Sequence, residues 1–245
     1  MTASSPYRLP VTLLALLAAS TLGLILAMWL FDARGALLAL DQRIFDALAA
    51  WEPPAGAETI RGIVRDVTAL GGLTVAGLVS VSAAVYLLAL GRHREAVFLL
   101  AIVGIGVALA FVAKELVGRP RPPAPPGAPH VSSPSFPSAH ASTSAVVYLT
   151  LAVIVVPLLQ SRLARVYTTL LAILLALTIG ASRMYLGVHW FSDVVGGWML
   201  GIGWTLIAWI AHRHLVQRGY IHPVTTDPAR PRSPSPHPID RAGVR

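Results

Sequence analysis

The sequence predicts an all-α polytopic membrane protein with six transmembrane helices and a short amphipathic outer segment between helices one and two. Three observations predict it. Of 245 residues, 55% are hydrophobic and only 12% charged, whereas a soluble domain has roughly a quarter of its residues charged. The apolar residues are gathered into uncharged runs of about 20, long enough to cross ~30 Å of hydrocarbon. Finally, the short connections between runs alternate between arginine-rich and mixed, as loops on opposite sides of a membrane do.

The runs follow in order. The first, Val11–Phe31, is preceded by Arg8 and followed by Asp32 and Arg34; it exceeds the ~7–15 apolar residues of a cleaved signal and reads as a retained anchor. Between it and the second run lies 32–66, with six acids and four arginines. Its stretch Leu37–Leu48 has helical apolar spacing suited to a membrane surface. Further runs are Val67–Leu90, Ala96–Ala113, Ala141–Leu159, a short Val166–Ala181, and Phe191–Ala211. Pro157 lacks a backbone donor and is expected to kink or end the fourth span. Gly197 and Gly201, four apart in the last span, suit close helix contact. Six prolines lie between Pro223 and Pro238, a composition too poor in apolar surface to offset ordering entropy. The expected organisation is therefore a cytoplasmic N-terminus at 1–10, a membrane domain at 11–215 with its core at 67–211, and a disordered cytoplasmic tail at 216–245.

The formal net charge is +8, and 18 of the 19 cations are arginine. They are scattered through loops and tail and form no folded basic face of the kind nucleic acid needs, so no nucleic-acid partner is expected. One side holds eleven of them, including the pairs Arg92/Arg94 and Arg162/Arg165 in short connections; the other holds eight. Cytoplasmic loops retain Lys and Arg, which places both termini in the cytoplasm. Cysteine is absent, which removes disulfides, thiolate catalysis and Cys-based metal sites. Chemistry falls to His, Asp, Ser and cations.

Ionisable residues beside a membrane span are expensive and need a partner or a task. Lys114 ends the third span, and Arg121-Pro122 follows in the same outer connection. Pro137-Ser138-Ala139-His140 opens the fourth span, and Ser182-Arg183, His189 and Asp193 lead into the last. Three cations rich in N–H donors suit a multiply charged oxyanion such as phosphate. Backbone N–H groups of Ser138 and Ala139, at a helix start after Pro137, add to that cradle. His189 and Asp193, four apart, would lie about 40° apart on a helix. The carboxylate could then fix the imidazole tautomer and leave the other nitrogen free to attack, while His140 protonates a leaving oxygen. Singly, each piece has a plainer reading: a helix-surface ion pair, snorkelling anchors, a capping serine. Jointly they converge on one side, at the mouths of spans three, four and six.

These residues resemble the type 2 phosphatidic acid phosphatase (PAP2) superfamily, membrane branch. Its signature is Lys, six residues, Arg-Pro; then Pro-Ser-Gly-His; then Ser-Arg, five residues, His, three residues, Asp. Here it stands as Lys114 with Arg121-Pro122, Pro137–His140, and Ser182-Arg183 with His189 and Asp193, with Ala139 in place of the usual Gly. The methyl matters only if that position needs a positive φ. The resemblance covers about Val67–Ala211 and the six-span arrangement. It implies that His189 attacks phosphorus, Asp193 orients His189, and His140 protonates the leaving group. Lys114, Arg121, Ser138, Ala139 and Arg183 would hold the phosphate, with no metal and no cofactor. Arg119-Pro120 competes with Arg121-Pro122 for the motif; spacing favours Arg121, and Arg119 is expected to contact headgroups or solvent.

The expected function is an integral lipid phosphatase in a bacterial-type plasma (inner) membrane, with its site on the extracytoplasmic face. Its partners are a lipid phosphate substrate and membrane lipids. Polyprenyl pyrophosphate ranks first by family analogy, followed by phosphatidic acid and phosphatidylglycerophosphate. A phosphotransferase using the same histidine and a non-catalytic lipid-phosphate binder or transporter are the alternatives. A vanadate haloperoxidase shares such a site on a soluble scaffold and is set aside.

Overall fold

The computed structural model describes residues 36–50, 57–123 and 132–221. Its regular structure there is entirely helical: α1 (Ala36–Ala49), α2 (Ala57–Ala69), α3 (Leu73–Ala89), α4 (His93–Val117), α5 (Ala139–Leu158), α6 (Arg162–Tyr185) and α7 (Phe191–Gln217). Helices α4 to α7 are each long and apolar enough to cross a membrane, and α2 with α3 make a further candidate span bent by 49°. The protein is a multi-pass membrane protein. The first predicted span, Val11–Phe31, lies outside the described residues, as does most of the expected tail 216–245; its first residues are described, and α7 runs on to Gln217.

Local signals account for the helix ends. α4 stops at Gly118, whose φ of 62° is the left-handed conformation that glycine adopts without a Cβ penalty; its N–H returns to the Lys114 carbonyl at 3.1 Å. α5 starts after Pro137 with Ser138 at its N-cap, and it ends in a 3₁₀ turn, Val156–Leu158, around Pro157. Within α5 the residues Ala145–Leu149 widen into a π-helical stretch. α6 opens at Ser161, whose hydroxyl accepts from the Ala164 N–H at 3.4 Å. α6 has 24 residues, longer than its uncharged run, because Arg162, Arg165 and Arg183 lie inside its end turns. The expected second span is broken: at Leu70–Gly71–Gly72 three turn bonds return to Val67, Thr68 and Ala69 and separate α2 from α3.

α5 is the innermost helix, packed by α4, α6 and α7. Glycine makes its contact with α7 possible. A Cβ at Gly201 would lie 2.4 Å from Ala145 Cβ, and one at Gly197 would lie 2.7 Å from the Ser138 carbonyl oxygen. The small-residue spacing thus serves close backbone approach. Behind it, Ala76, Leu87, Leu99, Val146, Ile154 and Ile179 form a buried core. Outward faces of α3, α4 and α6 present Leu78, Val85, Val97, Leu109, Leu170 and Leu174. In water each exposed leucine or valine would forgo about 1.5–3 kcal/mol of burial; hydrocarbon removes that penalty.

Candidate active site

The residues singled out in sequence meet at one end of the α4–α7 bundle. Lys114, in the last turn of α4, is 1% exposed; its Nζ donates to the Pro134 carbonyl at 2.5 Å and lies 3.4 Å from that of Ser135. It therefore ties α4 to the segment leading into Pro137–His140. Arg121 spreads its guanidinium over the same segment. It donates to Ser133 O (2.8 Å), Ser133 Oγ (3.2 Å), Pro134 O (3.2 Å) and Val188 O (2.7 Å). Burial pulls its pKa below the ordinary arginine value, against the opposing pull of the Asp193 charge.

The last contact of Arg121 is with the histidine itself: Nη1 is 3.2 Å from His189 Nε2. A guanidinium has donors only, so Nε2 must accept, and His189 carries its proton on Nδ1. That proton faces Asp193 Oδ2 at 3.3 Å. Burial, reinforced by the Arg121 and Lys114 charges, pushes the His189 pKa down to about 4, against the upward pull of Asp193. His189 is thus a neutral imidazole at neutral pH, with a lone pair facing a cation.

Here the structure corrects the geometry expected from spacing. His189 is not on a helix with Asp193: α7 begins at Phe191, after Trp190 as N-cap. The two meet across the helix start because Asp193, in the first turn, folds its carboxylate back to accept the Trp190 N–H at 2.8 Å. Ser182 and Arg183 likewise do not lead into the last span; they lie in the last turns of α6. Arg183 Nη1 donates to Thr68 Oγ1 at 3.1 Å. The Ser138 N–H is not free either, since it donates to the main-chain carbonyl of Asp193 at 2.9 Å. Ala139, in place of glycine, is unstrained: among the described residues no non-glycine residue has a positive φ.

Arg119 was expected to contact headgroups or solvent, and the structure overturns this. It is 6% exposed, with Nη1 at 2.7 Å from both Asp193 Oδ1 and Ser192 Oγ, and Nη2 at 2.8 Å from Asp41 Oδ2. Solvent cannot satisfy a guanidinium at that depth, whereas two carboxylates can. Asp41 on α1, Ser192 on α7 and Ser135, whose hydroxyl donates to Asp193 Oδ2, had no signal in the sequence. Each is a common residue whose partner lies 58 to 151 positions away.

His140 lies near the start of α5, beside the α2–α3 corner. A Cβ at Gly72 would be 3.8 Å from its Nε2, and Tyr148 donates to the Leu70 carbonyl at 2.8 Å to hold that corner down. Two buried polar atoms of this region have no partner among the described residues, Ser138 Oγ and Arg183 Nε.

A family model of the PAP2 superfamily matches residues 95–217, half of the chain, from Glu95 through every motif residue named above. The chain belongs to the PAP2 superfamily. Phosphatidylglycerophosphatase B of Bacillus subtilis (strain 168) is 39% identical over 111 residues, which are 44% of this chain and 53% of that relative. The chain thus matches about half the length of that curated relative. The crystal structure of a transmembrane PAP2 type phosphatidylglycerolphosphate phosphatase from Bacillus subtilis matches with a TM-score of 0.70 at 25% identity, over 81% of this chain and 96% of that one. The PAP2 bundle therefore extends beyond the segment that the family model matches.

Proposed function

We propose that this protein is a lipid phosphatase whose His189 forms a phosphohistidine intermediate. One observation carries the reading: a buried neutral imidazole has its Nδ1 proton held by Asp193 and its Nε2 lone pair turned toward a phosphate-binding type of cation, Arg121. Nε2 attacks phosphorus, a P–N bond forms, and the P–O bond to the lipid alcohol breaks. Asp193 balances the positive charge that develops on the ring. His140 gives a proton to the departing oxygen. Water then adds to the phosphohistidine, assisted by the same imidazole, and inorganic phosphate leaves.

Lys114, Arg121 and Arg183 neutralise the non-bridging oxygens as charge shifts toward the leaving group, the largest service a site renders to phosphoryl transfer. Among the described residues, buried Ser138 Oγ and Arg183 Nε have no partner, and a buried donor without an acceptor calls for an explanation. A phosphate oxygen at each supplies one, with Ala139 at the helix start beside them. The donors are cations, a hydroxyl and N–H groups, which suit an anion, so the reaction is written with no metal.

The substrate is a lipid phosphomonoester or pyrophosphate. The names of both relatives favour phosphatidylglycerophosphate; polyprenyl pyrophosphate and phosphatidic acid are the other arms of the test. The arginine count of the loops supports a site on the outer face of the plasma (inner) membrane, with both termini inside and six spans in all.

The test is phosphate release from these three lipids by the protein in detergent. His189→Ala should abolish turnover and His140→Ala should slow it most with a poor leaving group; wild-type release from His189→Ala would sink the assignment. Transfer of phosphate to an added lipid alcohol in preference to water would favour the phosphotransferase reading.

A further inference from the structure

Asp193 has a neighbour that works against the role just given to it. A carboxylate stabilises positive charge on His189 only insofar as its own charge is not already neutralised. Arg119 sits 2.7 Å from Oδ1, and both groups are buried. Left alone, that contact would make Arg119 and Asp193 a neutral pair and leave the imidazole facing two further cations, Arg121 and Lys114.

The structure holds a second carboxylate on the far side of Arg119. Asp41, 1% exposed, lies 2.8 Å from Arg119 Nη2. It also accepts the Ser192 N–H at 2.8 Å and the Ser192 hydroxyl at 2.5 Å. The Ser192 hydroxyl in turn accepts from Arg119 at 2.7 Å. Asp41, Arg119 and Asp193 together carry one net negative charge, and every hydrogen bond among them closes a ring between α1, the segment after α4, and the first turn of α7. Phe45, one turn along α1 from Asp41, rests on the Trp190 ring at 5.6 Å, so α1 is seated against the same helix start.

We infer that Arg119 and Asp41 are positioning residues for the phosphohistidine reaction: Arg119 aims the Asp193 carboxylate at His189, and Asp41 returns the negative charge that Arg119 would cancel. The inference rests on the phosphatase reading above. It assigns α1 a part in catalysis through Asp41, which reaches Asp193 by way of Arg119.

The test separates charge balance from mere structure. The charged and titratable groups around His189 are Asp193 on α7, Arg121 after α4, Lys114 on α4 and His140 on α5; Arg119 and Asp41 act on it through Asp193. Asp41→Asn, Arg119→Gln and the double variant are made in the full chain and assayed in detergent on phosphatidylglycerophosphate, with kcat, KM and the acid limb of the pH profile read for each.

Asp41→Asn should lower kcat ~10- to 100-fold with little change in KM, because the phosphate donors are untouched. Its acid limb should move down by on the order of one unit, since a negative charge that favours the imidazolium is gone. Arg119→Gln should move the limb up. The double variant should return it close to the wild-type position. Losses in kcat with no movement of the limb, or a double variant whose limb stays displaced, overturn the inference.

Should Asp41→Asn fail to fold, Arg119→Lys carries the test. The charge stays and the fork is lost, so kcat falls while the limb holds; a limb displaced as far as in Arg119→Gln overturns the inference. A wild-type protein that releases no phosphate overturns the phosphatase reading and this inference together. Wild-type turnover with unmoved limbs in every variant overturns only the inference.

Discussion

Replacing Gly197 by alanine should damage catalysis out of proportion to its size. The new Cβ would sit 2.7 Å from the Ser138 carbonyl oxygen, 2.9 Å from Ala141 Cβ and 3.1 Å from the Ser142 nitrogen. Two of these are backbone atoms, so no rotamer change relieves the clash. Restoring an ordinary separation of about 3.5 Å requires the start of α5 and the first turns of α7 to part by roughly 0.6–0.8 Å. Ser138 is bonded to the Asp193 carbonyl and precedes His140 by two positions, so the displacement falls between the His189–Asp193 pair and His140. A misplacement near 1 Å costs ~100-fold in rate, while overpacking costs about 1–3 kcal/mol of stability. The assay is kcat/KM for phosphate release in detergent, alongside the thermal unfolding midpoint. Gly104→Ala on α4 is the control, since a Cβ there meets nothing within 4 Å; it should leave both readings unchanged. Wild-type kcat/KM from Gly197→Ala, or an equal loss from the control, would refute the reasoning.

Histidine NMR titration in detergent should find His189 neutral down to about pH 4. The nucleophilic form exists above that pKa, so kcat/KM should hold its histidine-dependent value as pH falls through 6.5; a His189 midpoint at the ordinary value of about 6.5 would contradict the burial assigned to it. Arg121→Lys keeps the charge but loses the fork that reaches Ser133, Pro134, Val188 and His189, and should cost ~10²-fold or more in kcat. EDTA should leave turnover unchanged; its loss would contradict a reaction run by histidine and cations. Tyr148→Phe removes the bond to the Leu70 carbonyl and should lower stability by about 1 kcal/mol in thermal unfolding, with a smaller effect on KM than on the midpoint.

The positions of α4 to α7 were readable because hydrocarbon imposes long uncharged runs, and a helix end followed where a residue forces it, as Pro157 does. The phosphate motif was readable because Lys114, Arg121, His140, Arg183, His189 and Asp193 are costly beside a membrane and scarce in this chain. What escaped was whatever depends on distant pairing. Spacing singled out Arg121 over Arg119 for the motif, but nothing in the sequence showed that Arg119 is buried against Asp41, 78 positions away. The helical spacing of Leu37–Leu48 does form α1, but the apolar count gave no sign that Asp41, of its two aspartates, points inward. Treating His189 and Asp193 as one helical pair found the contact by the wrong route, because a first-turn carboxylate folding back reaches the same neighbour. The glycine pair at 71–72 lay inside an unbroken apolar run, where hydropathy outweighed its turn signal.

The bare backbone contact at Gly197 and Gly201 also bears on traffic. At Gly197 and Gly201 a Cβ would already meet α5 at 2.4–2.7 Å, so at these two points the helices leave no room for an acyl chain. In the proposed reaction, a lipid with its phosphate at His189 would thread its tail into the bilayer along some other seam. For such a substrate the contact at Gly197 and Gly201 would act as a wall on that side, and a substrate panel that varies tail length should probe a different pair of helices.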